Sequence, residues 1–346
     1  MTDINYKEIY KGPNTVFYDD NPVYKKDSSV KNNYYSDPEE EDVNERKIKK
    51  AAFRLRCKRF TNSFIISRNK KIIWQEFFNR NNWKKSHNIH SLSKSILSVV
   101  LGVAIDKGLF SLESNVCDIL PEMFNGPHRV EATDLKVKHL IEMTSGYDWE
   151  EDSTEYRIEK SSHWVKEILN RPFNDIPGEV FNYNTGGTHV LSAIIQKTSG
   201  MDLCSFAHKY LFNPLEVTVE QWSRDPQDYF CGGYNLYMTP NDLINFSHLI
   251  LEKGVFNGER VVSEKWIRES TQSITFVNGL HYGRGWWVDV IAGYKTTIAW
   301  GYGGQFLFIV PDLSLSVVIT GNTTKYGSDY DARRLMRRYI IPAVMS

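Results

Sequence analysis

The stretch Ser91-Leu92-Ser93-Lys94 opens a long apolar run that ends near Gly108. If this run is helical, the Ser91 hydroxyl and the Lys94 amine lie on one face within the first turn. A serine hydroxyl becomes a nucleophile at neutral pH when a neighbouring base takes its proton, and a buried lysine amine can be that base. The free N–H groups of a helix start also favour an oxyanion nearby. The pattern therefore predicts a buried helix with Ser91 as nucleophile and Lys94 as base.

The Ser-x-x-Lys spacing is weak evidence by itself. It occurs twice more, at Ser28 and Lys31 in a polar stretch and at Ser67 and Lys70 in a predicted hairpin turn. Serine is also a favoured N-cap residue, so an ordinary helix start explains Ser91 as well as a nucleophile does. Evidence from other segments of the chain is needed to distinguish a helix N-cap from a nucleophile.

The bulk composition limits the class of protein. A chain of 346 residues is long enough for two domains or for one large two-part fold. Its 42 Lys and Arg balance 42 Asp and Glu, so the charge argues against nucleic acid or a membrane as partner. Residues 1–5 lack a basic start and an apolar core. We therefore expect no signal peptide and a cytoplasmic location.

The cysteines and histidines form no metal-ligand pattern. The four cysteines have no Cys-x-x-Cys pair among them and predict neither a zinc site nor a disulfide framework: Cys57, Cys117, Cys204 and Cys231. His87 and His90 have His-x-x-His spacing, but no other ligand cluster accompanies them, and we interpret them as loop residues. We expect neither a metal nor a cofactor.

Strand patterns occur near both ends of the chain, and the region between them is mostly helix and loop. Residues 64–66 and 72–74 flank a predicted turn, and short apolar runs follow at 286–291, 295–300, 305–310 and 315–320. This order predicts an α/β (α+β) fold, in which an antiparallel sheet from both chain ends is flanked by helices and interrupted by a helical domain.

The expected domain boundaries follow from the same order. They are 1–59 for a polar extension and helix, 60–88 plus 255–346 for the sheet domain, and 89–254 for the helical domain. The active site would lie in the cleft between the last two. Within the extension, Asp37 and Pro38 predict the start of a helix.

Two further segments accompany the serine. Residues 177–187 form a loop with a Pro-Gly turn, an exposed-looking Tyr183 and a glycine-rich exit. Residues 300–305 place Gly301, Gly303 and Gly304 at a strand edge, where a ligand can lie against the backbone. The three elements in this order are a much narrower signal than any one of them.

With these elements the chain resembles the penicillin-recognising serine hydrolases, in particular the class C β-lactamase-like branch with its esterases and 6-aminohexanoate-dimer hydrolases. The resemblance covers roughly residues 60–345 and includes Leu140-Ile141-Glu142-Met143-Thr144-Ser145-Gly146 and the segment from Gly232 to Asp242. It implies a β-lactamase/transpeptidase-like fold and a serine hydrolase that works through an acyl-enzyme.

The resemblance also implies roles for individual residues. Ser91 would be the nucleophile, Lys94 its base and Tyr183 the residue that passes the proton to the leaving group. The backbone N–H groups of Ser91 and Gln305 would form the oxyanion hole. Substrate-binding positions would be Asn184, Thr185, Tyr302, Gly303 and Gly304.

Two departures from the family pattern bear on the substrate. The usual Tyr-x-Asn motif reads Tyr183-Asn184-Thr185, which we interpret as a marker of the esterase and aminohexanoate-hydrolase branch. The usual Lys-Thr-Gly or His-x-Gly motif reads Tyr302-Gly303-Gly304, so no lysine is present to hold a substrate carboxylate. We expect a small neutral ester or amide as substrate.

Two alternatives stay open at this point. The first is a β-lactamase or a D-Ala-type carboxypeptidase or aminopeptidase, which the missing lysine disfavours. The second is a non-catalytic binding module on the same fold, against which the intact Ser91, Lys94 and Tyr183 argue. The sequence does not determine the oligomeric state, the substrate's acyl and leaving groups or the role of residues 1–50.

Overall fold

One antiparallel sheet is assembled from both ends of the chain. The computed structural model describes residues 34–58, 60–124, 134–323 and 332–344. Its strands are β1 (Thr61–Arg68), β2 (Lys71–Phe77), β3 (His87–Asn88), β4 (Tyr237–Met238), β5 (Val255–Phe256), β6 (Glu259–Arg260), β7 (Thr275–Val277), β8 (Leu280–Tyr282), β9 (Trp287–Ile291), β10 (Tyr294–Gly301), β11 (Gln305–Val310) and β12 (Leu315–Gly321). Within the described residues, eight of these strands form one sheet in the order β2-β1-β12-β11-β10-β9-β8-β7.

The helices lie before, between and after the strands. They are α1 (Glu45–Arg56), α2 (Ser93–Asp106), α3 (Val116–Ile119), α4 (Val137–Ile141), α5 (Glu151–Glu159), α6 (Trp164–Leu169), α7 (Thr185–Ser199), α8 (Leu203–Ala207), α9 (Pro240–Leu251), α10 (Glu264–Ser270), α11 (Arg333–Leu335) and α12 (Ile341–Val344). None of the helices in the described part of the chain combines the length and apolarity that crossing a bilayer requires.

The central strands are covered on both faces. All residues of β11 and β12 are buried, and because side chains alternate along a strand, neighbours enter different cores. Phe308 and Val317 pack in one core with α1 and the C-terminal helices. Leu307 and Val318 pack in the other core with α2 and α9. Each such side chain contributes roughly 1.5–3 kcal/mol by leaving water.

The hairpin predicted at the start of the sheet is present. Asn69 and Lys70 connect β1 to β2 with φ angles of 51° and 65°, the left-handed conformation that two-residue hairpin turns require. The four strands predicted between residues 286 and 320 are also present as β9 to β12. The short strands β7 and β8 at the far edge were not predicted, because so few residues carry little periodic signal.

Two predicted helices begin as 3₁₀ turns, and their α-helical parts start later than expected. Residues Pro38–Glu41 form a separate 3₁₀ turn, and α1 begins at Glu45, where the Asn44 side chain accepts a hydrogen bond from Lys47 N–H at 3.1 Å. The helix expected from Ser91 begins at Ser93, after a 3₁₀ turn.

The position of α9 bears on the domain boundaries. This helix precedes the expected boundary at residue 254, yet it packs on the sheet. Its His248 Nε2 lies 2.8 Å from the Ser67 Oγ of β1, and its Phe246 stacks on Trp286 with ring centroids 5.9 Å apart. We now propose that the sheet domain includes both α9 and α1, since α1 also packs against β1 and the C-terminal helices.

We expect Gly102→Ala to destabilise the fold by about 1–3 kcal/mol, despite the higher helix propensity of alanine. Gly102 lies inside α2, and a Cβ there would overlap the indole of Trp266, whose Nε1 donates to Ser98 O at 2.9 Å. Urea unfolding gives the change in free energy.

The matched control is Gly187→Ala in α7, where a Cβ would meet Leu140 only at an ordinary 3.6 Å. This variant should be neutral or slightly more stable. Equal effects of the two substitutions would contradict the packing argument.

Candidate active site

Ser91 lies in the 3₁₀ turn His90–Leu92, between β3 and α2. The turn is fixed from its beginning, because the Asn88 side chain accepts a hydrogen bond from His90 N–H at 2.9 Å. His90 has a φ angle of 47°, a left-handed conformation that costs a non-glycine residue about 1–2 kcal/mol. Strain of this kind is typical of functional sites, and here it precedes the partly exposed Ser91.

The Lys94 amine is buried beside the serine. Lys94 is 1% exposed, and its Nζ lies 3.0 Å from Ser91 Oγ, 2.9 Å from Thr185 Oγ1 and 3.0 Å from Gly233 O. A buried amine is tolerated only with such partners, and all three oxygens can accept a hydrogen bond from it. The structure thus brings the predicted pair Ser91 and Lys94 into hydrogen-bond contact.

Gly232 and Gly233 allow their segment to pack closely against Thr188 and Lys94. A Cβ on Gly232 would overlap the backbone of Thr188, and a Cβ on Gly233 would overlap Thr188 Oγ1 and lie 3.2 Å from Lys94 Nζ. In the sequence this segment only supported the family resemblance. In the structure it supplies the third acceptor of the lysine.

Thr185 links Lys94 to a carboxylate that the sequence analysis missed. Glu151, the first residue of α5, accepts hydrogen bonds from Thr185 Oγ1, from Thr185 N–H at 2.9 Å and from Trp149 Nε1 at 2.7 Å. Glu151 and Thr185 each begin a helix, and helix starts favour negative charge. In the sequence Glu151 is one of three consecutive acidic residues, 150–152, and this pattern is not specific for an active site.

Tyr183 lies next to the Ser91–Lys94 pair, as predicted. The Lys94 Nζ is 4.9 Å from the centre of its ring, and the ring stacks on Trp287 with centroids 6.1 Å apart. Burial raises the pKa of the Tyr183 phenol, while the positive charge of Lys94 and hydrogen bonding to Ser91 and Lys94 oppose this shift. The phenol can therefore exchange a proton with the same two groups.

Asn184 and Thr185, predicted to contact substrate, are directed into the protein. They are 1% and 3% exposed. Asn184 Oδ1 caps α7 by accepting from Gly187 N–H at 2.8 Å, and its Nδ2 donates to Ser145 Oγ at 3.2 Å. We now propose positioning roles for both, with Asn184 fixing the loop that carries Tyr183.

The glycine-rich segment forms the hairpin between β10 and β11. Gly301 pairs with Gln305 and lies so close to the serine turn that a Cβ there would overlap Ile89 O and sit 3.1 Å from Leu92 N. Tyr302 is 50% exposed at the hairpin tip, with Gly303 and Gly304 beside it. The backbone around Gln305 is therefore adjacent to Ser91, where the oxyanion hole was predicted.

Two histidines, His87 and His90, precede the serine in the chain. Burial lowers the pKa of His87 and of His90 to about 4, with Lys85 and Lys94 respectively adding to the effect. Both rings are neutral at pH 7. The part of the chain that the structure describes contains no group of three His, Cys, Asp or Glu side chains that could hold a metal ion.

A family model described as Beta-lactamase matches residues 56–339. The chain belongs to the β-lactamase family. The predicted fold and the predicted family resemblance are confirmed, and this β-lactamase-family chain has the large antiparallel sheet flanked by helices that the fold requires.

Known proteins similar to this family member include one curated relative and several solved structures. The 6-aminohexanoate-dimer hydrolase of Paenarthrobacter ureafaciens is 24% identical to this chain. The match covers 66% of this chain and 64% of that protein's length. A structure described as “Putative 6-aminohexanoate-dimer hydrolase from Bacillus anthracis” has a TM-score of 0.70 at 18% identity, and the match covers 84% of this chain and 81% of that chain.

A third similar protein is EstCE1, described as a hydrolase with promiscuous acyltransferase activity. Its TM-score is 0.70 at 16% identity, and the match covers 87% of this chain and 99% of that chain. At these identities the solved structures support the fold.

A row of carboxyl groups continues from the active site along α5. Glu151, Glu155 and Glu159 are spaced by four residues and share one side of the helix. Glu159 accepts a hydrogen bond from Tyr234 Oη at 2.7 Å. Burial, together with the nearby Glu151, raises the pKa of Glu155 to about 8, so this middle carboxyl is largely protonated at pH 7.

We expect Glu155 to make the protein less stable as the pH rises from about 4.5 to 8. In this window the unfolded chain releases the proton that folded Glu155 retains, so the free energy of unfolding falls. The Glu155→Gln variant should not show this loss. Its free energy of unfolding should exceed that of the wild type by roughly 1 kcal/mol or more at pH 8 and differ little from it at pH 4. Urea unfolding at a series of pH values measures the effect.

The control is Glu167→Gln, the same substitution at an exposed acid of α6. Its stability should follow the wild-type pH curve. If the Glu155→Gln curve also ran parallel to the wild type, the raised pKa would be refuted.

Proposed function

We propose that this member of the β-lactamase family is a serine hydrolase that cleaves a small ester or amide through an acyl-enzyme on Ser91. One observation carries the proposal: the buried Lys94 Nζ lies 3.0 Å from the Oγ of the partly exposed Ser91. This distance is within reach of direct proton transfer from hydroxyl to amine.

The acylation step uses the groups around this pair. Ser91 Oγ attacks the substrate carbonyl carbon as its proton passes to the neutral Lys94 amine. When the tetrahedral intermediate collapses, the Tyr183 phenol gives its proton to the departing alcohol or amine, and the Lys94 ammonium group returns a proton to the phenolate. The product is an ester of Ser91.

Deacylation reverses the proton transfers with water in place of the leaving group. Water attacks the Ser91 ester, and its proton passes to the Tyr183–Lys94 pair, which returns one to the serine oxygen as the acid departs. In both steps we propose that the backbone N–H groups of Ser91 and Gln305 stabilise the oxyanion. The close approach of Gly301 to the serine turn supports this placement.

The substrate is proposed to be neutral near the scissile bond. The hairpin tip presents the phenol of Tyr302 and two glycines where a lysine would hold a carboxylate. Phe181, Tyr282 and Trp287 form an aromatic cluster around Tyr183, with ring centroids 4.9–6.4 Å apart, which suits an apolar group. The names of the relatives, a dimer hydrolase and a hydrolase with acyltransferase activity, support acyl transfer.

We expect Ser91→Ala to abolish turnover of a p-nitrophenyl ester, because the acyl-accepting oxygen is gone. The purified protein would be treated with that ester, a fluorophosphonate and a chromogenic cephalosporin, while released chromophore and intact mass are recorded. The wild type should hydrolyse the ester, form a single phosphonyl adduct at Ser91 and turn over the cephalosporin slowly or not at all.

Ser93→Ala is the matched control, because the Ser93 hydroxyl is buried and has no hydrogen-bond partner among the described residues. It should keep ester turnover. Wild-type activity in Ser91→Ala would refute the assignment. Fast cephalosporin turnover would favour the β-lactamase or peptidase alternative, and no adduct with any probe would favour the non-catalytic binding module.

We expect Tyr183→Phe to lower turnover by about 10²-fold or more for a p-nitroanilide, and by less for the p-nitrophenyl ester. An amine must be protonated to depart, whereas p-nitrophenolate departs readily as an anion. Steady-state kinetics with the two substrates gives the ratio.

Tyr282→Phe removes a neighbouring buried hydroxyl that has no hydrogen-bond partner in the described part of the chain, and it should change neither rate much. Equal losses of Tyr183→Phe on ester and amide would argue against proton donation to the leaving group.

A further inference from the structure

We propose that Glu151 is a positioning residue that, through the Thr185 hydroxyl, directs the lone pair of Lys94 at Ser91. The inference rests on the proposed function, since it concerns how Lys94 acts as base. It gives Glu151, which lies in none of the sequence motifs described above, a positioning role in acylation.

The hydrogen bonds of a neutral Lys94 are the first step of the argument. A neutral amine has two N–H groups and one lone pair. To accept the Ser91 proton, the lone pair has to face Ser91 Oγ, and both N–H groups have to point elsewhere. Besides Ser91 and the Tyr183 phenol, which also hydrogen-bonds to Lys94, the neighbours of the amine are Gly233 O at 3.0 Å and Thr185 Oγ1 at 2.9 Å.

These two neighbours differ in what they can do. The Gly233 carbonyl can only accept, so it always takes one N–H of Lys94. The Thr185 hydroxyl can accept or donate. If it donated to Lys94, the lone pair would be occupied and an N–H would turn towards Ser91, which prevents proton transfer.

Glu151 determines which way the Thr185 hydroxyl points. The carboxylate accepts the hydroxyl proton on Oε1, so the lone pairs of Thr185 Oγ1 are left for Lys94. The other carboxylate oxygen, Oε2, accepts from Thr185 N–H at 2.9 Å and from Trp149 Nε1 at 2.7 Å. Three donors therefore fix the carboxylate in this orientation.

The same bonding pattern makes Glu151→Gln a sharp test. Two N–H donors, from Thr185 and Trp149, require the glutamine oxygen on the side of Oε2. The glutamine NH₂ then faces Thr185 Oγ1 and donates to it, so the hydroxyl proton has to turn towards Lys94. The variant has the shape of the wild type with the hydroxyl direction reversed.

We expect Glu151→Gln to lower the single-turnover acylation rate with a p-nitrophenyl ester by about 10- to 100-fold, with kcat reduced and KM little changed. Thr185→Ser, which keeps the hydroxyl, should stay within about threefold of the wild type. Thr185→Val should lose about as much as Glu151→Gln. Glu150→Gln, the same substitution at the exposed neighbour, should have no effect.

The double variant Glu151→Gln/Thr185→Val distinguishes positioning from a general structural role. If Glu151 acts through the Thr185 hydroxyl, the second substitution costs little once the first is present. Full additivity of the two losses would overturn the proposal, and so would wild-type acylation in Glu151→Gln. If Glu151→Gln failed to fold in thermal melts, the contrast between Thr185→Ser and Thr185→Val would decide, and equal rates in those two would overturn it.

Failure of this inference differs from failure of the proposed function. Wild-type protein that forms no acyl-enzyme at Ser91 would remove the function itself. Normal acylation of Ser91 that is indifferent to Glu151 would remove only the positioning role.

Discussion

The burial of one amine, that of Lys94, is the constraint on which the site depends. A buried amine is tolerated only with acceptors in place, and these come from separate parts of the chain: the serine turn, the start of α7 and the segment at Gly233. At the third of these positions a side chain would overlap Thr188, so the residue whose carbonyl accepts from Lys94 is a glycine, Gly233. The arrangement that satisfies the lysine also brings Ser91, the tyrosine loop and the helical segment together, so the contacts that stabilise the fold also build the proposed active site.

Glu151 is the carboxylate linked to Lys94, through the Thr185 hydroxyl. Glu151 is held by three donors at the starts of two helices, where negative charge is favoured. The next carboxyl of the row, Glu155, has its pKa raised to about 8 by burial and by Glu151, so it adds little negative charge at neutral pH. The opposite side of Tyr183 is aromatic rather than charged. The aromatic side suits a substrate without a carboxylate.

Neighbouring segments determine where the side chains of the proposed active site lie. Met143 O accepts from Asn182 N–H at 2.8 Å, and Ser145 accepts from the Asn184 side chain, so the Met-Thr-Ser-Gly segment fixes the loop on both sides of Tyr183. The strand pair β3–β4 holds the approach to the strained serine turn. In the sequence the Met-Thr-Ser-Gly segment served only to indicate the family. In the structure this segment and the β3–β4 pair hold the tyrosine loop and the serine turn in place.

The sequence by itself determined the sheet from both chain ends, the buried helix after Ser91, the Ser91–Lys94 pair and Tyr183, because strand alternation, helical spacing and a motif of adjacent residues are local properties. It placed the starts of two α-helices too early, since turns such as His90–Leu92 depend on contacts with distant strands. It also gave Thr185 to the substrate and overlooked Glu151 and Gly233. Only the tertiary structure decided which partners these residues have, because hydrogen bonds between residues far apart in the chain leave no periodic trace in the sequence, and the direction of a hydroxyl proton is set by whichever acceptor the fold brings beside it.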